Sequence, residues 1–393
     1  MKRKAIMYLM ACILVLFVSG CATTTEVDDF ASNDGYEDEV NKDESGDSGS
    51  GIAKEDIKIG VLHLTDPAEG SGYTYTHDLG IQGMQDNLGL TDEQIVRKIN
   101  VDDTDAKATR DAIQECIDSG CNIIFTTSWG YMDVTGDMAE ENPDVYFFHG
   151  TGYKSNGKNF SNYFGRIYQA RYLSGIVAGM NTKSNKIGYV AAMDSTNSEV
   201  TGGIDAFALG IASVNPDAKV YVKVTNSWYA PEEEKAAAKT LLDMGCDVMA
   251  QHCDTPYPQT MASDAGVYGI GYNSDMGKET PDSCLTSVIW DWGAYYTSQV
   301  QSIMDGTYSG ENYYGGMQEG LVSITQLADF CAEGTQEKVD EAKAKILSGE
   351  FNVFDGKIDT NTGEVIGEEG KTLDDATITG GIDWYCKNVE VVK

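Results

Sequence analysis

From residue 57 onward the chain alternates two hydrophobic rhythms: short runs of consecutive apolar residues, and longer stretches in which apolar residues return at helical spacing. Residues 57–62 (IKIGVL) and 186–191 (KIGYVA) open two rounds of this alternation. In residues 106–119, Ala108, Ala112, Ile113, Cys116 and Ile117 recur at helical spacing and Gly120 follows as a stop signal; residues 232–244 before Gly245 repeat the arrangement. An apolar run over 123–127 comes directly after. Strand, helix and strand in tight succession predict parallel sheets with right-handed crossovers.

The two rounds read as copies of each other. Gly60 and Gly188 stand 128 positions apart, Cys121 and Cys246 stand 125 apart, and Val145 and Val267 stand 122 apart. Matched elements in one order, with so little drift in offset, point to a duplicated domain. The expected fold class is α/β, with two Rossmann-like lobes joined by a hinge. Lobe 1 is expected over 57–180 with returning C-terminal segments, and lobe 2 over 181–310. Residues 311–393 are expected to cross over and pack across the hinge.

The N-terminus follows a different pattern. Three basic side chains within residues 1–4 precede an apolar run over 5–18 that stops at Ser19-Gly20-Cys21. That is the layout of a secretory signal peptide, expected over 1–20, and the run is short for a membrane span. Residues 18–21 look like a lipobox, which makes Cys21 the expected lipidation site; its lipid chains would supply a stable anchor. Residues 21–56 are acidic and rich in Gly and Ser, and are expected to form a disordered tether. The expected location is the extracytoplasmic side of the cell membrane.

Composition narrows the function. With 28 basic against 62 acidic residues the net charge is -34, which disfavours nucleic acid as a partner. Seven cysteines remain after Cys12 and Cys21, an odd number with no CxxC pair, and the four histidines are scattered. No structural metal site or cofactor is expected, and the chain is expected to be a monomer. Cys116 with Cys121, or Cys246 with Cys253, could bridge or could equally be small buried residues.

In open parallel sheets a ligand sits beyond the carboxyl ends of the strands. The loops so marked are 65–78, 127–133, 149–153, 193–200, 225–231, 251–258, 271–277 and 287–292. They carry Tyr73, Trp129, Trp228, Tyr272 and Trp290, and four of the five tryptophans of the chain fall within them. Each aromatic face could stack on a flat ring, a contact worth roughly 1–3 kcal/mol for a nucleobase. Thr74, Glu199, Gln251, His252, Asp254 and Asp275 bring carboxylates suited to ribose hydroxyls and amide groups suited to a purine edge. Enzymatic signatures such as HExxH or GxSxG do not occur, so no catalytic residue is assigned. Residues 367–372 (GEEGKT) imitate a phosphate loop, but Val365 stands where the first glycine is required.

Several of these stretches together carry a family resemblance. They include 72–80 (GYTYTHDLG), 149–154 (HGTGYK), 163–175 (YFGRIYQARYLSG), 227–231 (SWYAP), 251–254 (QHCD) and 271–275 (GYNSD), with a tail at 353–359 (VFDGKID) and 383–385 (DWY). In this the chain resembles the basic membrane protein family of substrate-binding lipoproteins, whose characterised members bind purine nucleosides or related compounds for ABC transporters. The resemblance implies the periplasmic-binding-protein type of fold. It also implies a purine nucleoside or base as ligand, and a transporter permease as partner. Tyr73 resembles the family's base-stacking aromatic and Thr74 the polar contact after it, while Asp254 and Asp275 stand in loops that supply ribose or base contacts. The stretch 70–74 (GSGYT) departs from the Asp-Gly-Ser-Phe-Asn pattern of nucleoside binders, and Gln169 stands where a related branch often has Glu. A ligand-sensing or adhesion lipoprotein of the same fold is the alternative reading, and a hydrolase a more distant one.

Overall fold

The computed structural model describes residues 51–393. The signal segment, Cys21 and most of the expected tether lie outside these residues. Residues 51–56 correct the tether's expected end at 56. Ile52 donates its N–H to Ile303 O at 3.2 Å, and Gln94 Nε2 reaches Lys54 O at 2.8 Å, so this stretch already belongs to the folded body.

Two sheets are built in the same way. In the first, strands β1 (Ile59–Leu62), β2 (Ile95–Lys98), β3 (Ile123–Thr126), β4 (Tyr146–Gly150) and β5 (Phe160–Gly165) lie parallel in the order β2-β1-β3-β4-β5. In the second, β6 (Lys186–Ala191), β7 (Lys219–Val224), β8 (Val248–His252), β9 (Tyr268–Asn273) and β10 (Cys284–Trp290) lie parallel in the order β7-β6-β8-β9-β10. The duplication read from the sequence is thus repeated in the topology. β1 and β8 are buried throughout, as parallel strands covered on both faces require.

The helices α1 (Gly72–Leu88), α2 (Ala106–Asp118) and α3 (Met132–Glu141) connect the first sheet. Then come α4 (Ile167–Asn181), α5 (Ser198–Val214), α6 (Pro231–Asp243), α7 (Tyr257–Asp264) and α8 (Trp292–Met304). Asp105 caps α2 by accepting from Lys107 and Ala108 N–H groups, and Gly120 follows at φ +87°. In the second copy Gly245 does the same after α6 at φ +85°. The paired strand glycines have one job: a Cβ on Gly60 would stand 2.8 Å from Cys116 Cβ of α2, and one on Gly188 would stand 3.1 Å from Leu241 Cβ of α6. Each lets a helix settle close onto its sheet.

Within the described residues the chain crosses between the sheets three times. It leaves the first sheet after Gly165, and α4 packs against α5, so the first crossing comes ahead of residue 180, where the sequence pattern places the end of lobe 1. It returns after Trp290, since α8 packs on α1. The last crossing separates β11 (Tyr313–Gly315), parallel to β5, from β12 (Val322–Ile324), antiparallel to β10. A Cβ on Gly165 would meet Leu321 Cδ2 at 2.4 Å, Gly315 O at 2.8 Å and Trp290 Cζ3 at 3.1 Å, so all three crossings converge on this glycine. After α9 (Thr335–Ser348) the chain forms a short hairpin, β13 (Ile358–Asp359) with β14 (Val365–Ile366). It ends in α10 (Asp375–Gly380) and β15 (Val389–Val391), which extends the second sheet beside β7. The cysteines among the described residues are all free thiols, Cys116 and Cys121 included.

Candidate functional site

Between the carboxyl ends of the two sheets lies a cleft of about 1190 Å³. Seven of the sequence-predicted residues line it: Tyr73, Trp129, Glu199, Trp228, Asp254, Tyr272 and Trp290.

The first lobe presents aromatic groups. Tyr73 is the second residue of α1, a helix that begins at Gly72 with φ +80°. A Cβ there would come within 2.4 Å of Asp254 O in the opposite lobe, so only glycine permits this approach. The Tyr73 hydroxyl donates to Thr127 O at 2.5 Å, and burial holds the phenol neutral by pushing its pKa well up. Trp129 is 55 % exposed at the rim, tilted against Tyr153 at 5.7 Å. Tyr229, 54 % exposed, stands on the second lobe's rim.

The second lobe adds carboxyls to its own rings. Glu199 is the second residue of α5, the position that Tyr73 holds in α1. Burial raises its pKa to about 7, with Arg171 opposing. Asp254 follows β8 as Trp129 follows β3; burial raises its pKa to about 8 against the hydrogen bond it accepts from Asn273 Nδ2 at 2.8 Å. Near neutral pH a substantial fraction of each carboxyl therefore keeps its proton and can donate a hydrogen bond as well as accept one.

A continuous run of rings joins the lobes. Tyr73 meets His77 edge-on at 4.4 Å, His77 stacks on Trp292 at 4.5 Å, and Trp292 stacks on Trp290 at 4.5 Å. Trp290 Nε1 donates to the Tyr272 hydroxyl at 3.4 Å, Tyr272 packs on His252 at 4.7 Å, and His252 on Trp228 at 5.5 Å. Tyr73, Trp290, Tyr272 and Trp228 face the cleft, and His77, Trp292 and His252 back them from the buried side.

The remaining predicted residues do not reach the cleft, and each serves the framework. Thr74 is buried on the next face of α1, where its Oγ1 accepts from Thr65 N at 3.4 Å. Gln251 is buried and organises the Asp254 loop, donating to Cys253 O at 2.9 Å and Thr255 O at 2.8 Å. His252 lies beneath the wall, its Nε2 3.5 Å from Glu199 Oε1, and burial drives its pKa well down, so it is neutral. Asp275 caps a single turn by accepting from Gly277 N at 3.1 Å, away from the cleft.

Sequence reasoning missed Arg171. It is wholly buried, its guanidinium 4.1 Å from the Tyr272 ring centroid, and it donates to Gln251 O at 2.7 Å. An arginine as the one charged residue of the 167–181 stretch was the available signal. It also missed Asn312, Tyr313 and Tyr314 near the third crossing, and the α10 residues that line the cavity. Gln169 accepts from Met317 N at 2.8 Å and braces that crossing.

The sequence profile of a family described as ABC transporter substrate-binding protein, PnrA-like, matches residues 57–357. A purine-binding protein of Brucella abortus is 36% identical over 342 residues, covering 87% of this chain and 95% of its own. A protein of Haloferax volcanii described as an ABC transporter glucose-binding protein is 33% identical, covering 80% of this chain and 78% of its own. Among solved structures, a solute-binding protein of an ABC transporter system from Conexibacter woesei aligns with a TM-score of 0.64 at 19% identity, over 75% of this chain and 98% of its own. That likeness concerns the fold.

Proposed function

The chain belongs to the PnrA-like family of ABC transporter substrate-binding proteins, and on that premise we propose that its ligand is a purine nucleoside or purine base. The family and its relatives are substrate-binding transport proteins of the extracytoplasmic side, not enzymes. The finer reading rests on one observation: aromatic rings from both lobes and two carboxyls, Glu199 and Asp254, whose pKa values burial raises, face the same cleft. Tyr73 and Trp228 offer planes for a flat heterocycle, Glu199 and Asp254 groups that can donate to ring nitrogens or bind ribose hydroxyls. The Brucella relative's description as purine-binding supports this reading.

A sugar is the second reading, favoured by the Haloferax relative's description. Aromatic faces and carboxyls also suit a pyranose. A purine uses both planes at once, one from each lobe, which is why we rank it first. Binding from both lobes would shift the molecule toward a closed form, because only the closed form makes both sets of contacts. We further propose that Cys21 carries the lipid anchor and that the loaded protein hands its ligand to a permease.

Mass spectrometry of small molecules released from protein purified without denaturation tests the ligand class. A purine or purine nucleoside is expected; a hexose in stoichiometric amount, with no purine, would favour the second reading.

A further inference from the structure

The family match ends at residue 357, yet part of the cleft is built from beyond it. Asp375, Ala376, Ile378, Thr379 and Gly380, all in α10, line the cavity. This helix has no counterpart in the duplicated pattern of strands and helices.

It is nonetheless firmly placed. The segment that carries it is stitched to the second lobe: Cys386 N donates to Asp205 Oδ1 at 2.7 Å, Asn388 Nδ2 donates to Ala208 O at 2.9 Å, and β15 pairs with β7. Asp374 caps the helix by accepting from Thr377 N at 2.8 Å. Ile378 is buried, and Ile382 lies 3.3 Å from where a Gly202 Cβ would stand on α5. At its other end α10 is tied to the hinge. Arg166, between β5 and α4, holds Asp375 through Nε at 3.2 Å and Nη2 at 2.5 Å. Its Nη1 donates to Tyr314 O at 2.6 Å. A two-pronged arginine contact of this kind fixes orientation as well as position.

We infer that α10 is a third wall of the cleft, a specificity element that limits how large a group can extend beyond the ring held by the two lobes. This rests on the cleft being the ligand site. Ile378 anchors the helix while Ala376, Thr379 and Gly380 remain exposed along the cavity, so bulk added there enters ligand space rather than the core.

The test is calorimetric titration of the full chain with adenosine, hypoxanthine and glucose, comparing wild type with Thr379→Trp and Ala376→Trp. Glu369→Trp, exposed on the same segment and outside the cavity lining, is the control. Unfolding curves establish that each variant is folded. The cleft variants are expected to weaken the bound probe tenfold or more, adenosine more than hypoxanthine, and the control to leave it unchanged. Unchanged affinity in both cleft variants for every probe the wild type binds would overturn the wall. A wild type that binds glucose and neither purine would defeat the purine reading alone, with Thr379→Trp then judged on glucose; binding of none of the three would overturn both.

Discussion

The two lobes are copies in topology and differ in chemistry at matching positions. The second residue of the first helix is Tyr73 in lobe 1 and Glu199 in lobe 2; the loop after the third strand of each copy offers Trp129 in one and Asp254 in the other. Duplication supplies matching platforms, and divergence at these two positions puts a ring in lobe 1 where lobe 2 has a carboxyl, beside the rings lobe 2 keeps at Trp228, Tyr272 and Trp290. A ligand with a flat face and hydrogen-bonding edges meets a different partner on each side. Because Gly72 of one lobe approaches the Asp254 backbone of the other, the two positions sit close together.

Removing a ring from one side should produce the largest effect. Tyr73→Ala or Trp228→Ala each deletes a stacking face worth roughly 1–3 kcal/mol, so nucleoside affinity should fall about tenfold to a hundredfold in calorimetry. Unchanged affinity would remove that residue from the site.

Next comes the point where the lobes touch. Gly72→Ala would place a Cβ 2.4 Å from Asp254 O on a backbone at φ +80°, so the start of α1 must shift. Both thermal stability and affinity should drop, by an amount consistent with about 1–3 kcal/mol of backbone strain. A variant with wild-type melting and binding would show that this approach does not matter.

The carboxyls give a pH signature confined to the second lobe. Glu199 and Asp254 have folded-state pKa values of about 7 and about 8, above the ordinary unfolded range near 4. The folded state therefore prefers their protonated forms. The stability they contribute is complete below about pH 4 and is lost as pH rises through about 7 and 8. Melting temperature of the ligand-free protein should decline from about pH 4 to about pH 8 and level off above, and the Glu199→Gln, Asp254→Asn double variant should flatten the decline. An equally steep decline in the double variant would assign it to other groups, such as buried Asp205, whose pKa burial also raises.

The smallest effect is expected at Asp275. Its carboxyl caps one turn outside the cleft, so Asp275→Ala should cost about 1 kcal/mol of stability or less and leave ligand affinity unchanged. A tenfold loss of binding would restore it to the site.

What could be read in the sequence follows the range of the interactions. Helix 106–118 and strand 123–126 stand within a residue of their predicted bounds because their signals, apolar period and a following glycine, are local. The cleft loops were legible for the same reason, as strand ends. Which side chain in a loop faces the cleft was not: Tyr73 and Thr74 are neighbours about 100° apart around a helix, and one lines the cavity while the other ties down residue 65. Gln251 looked like a ligand group and instead holds the Asp254 loop in shape, because turns in that loop leave carbonyls that need a donor. Arg166, Tyr314 and Asp375 meet only through the third crossing and the C-terminal return, separations of 148 and 209 residues that no local pattern encodes.

On the proposed function, both lobes grip one planar heterocycle without altering it. Titrating ligand-free protein with a purine nucleoside, then recovering the ligand for mass analysis, tests it most directly. One site per chain, Tyr73- and Asp254-dependent heat, and a ligand recovered intact are expected. Absence of binding to any purine, or a ligand recovered with its glycosidic bond cleaved, would contradict it.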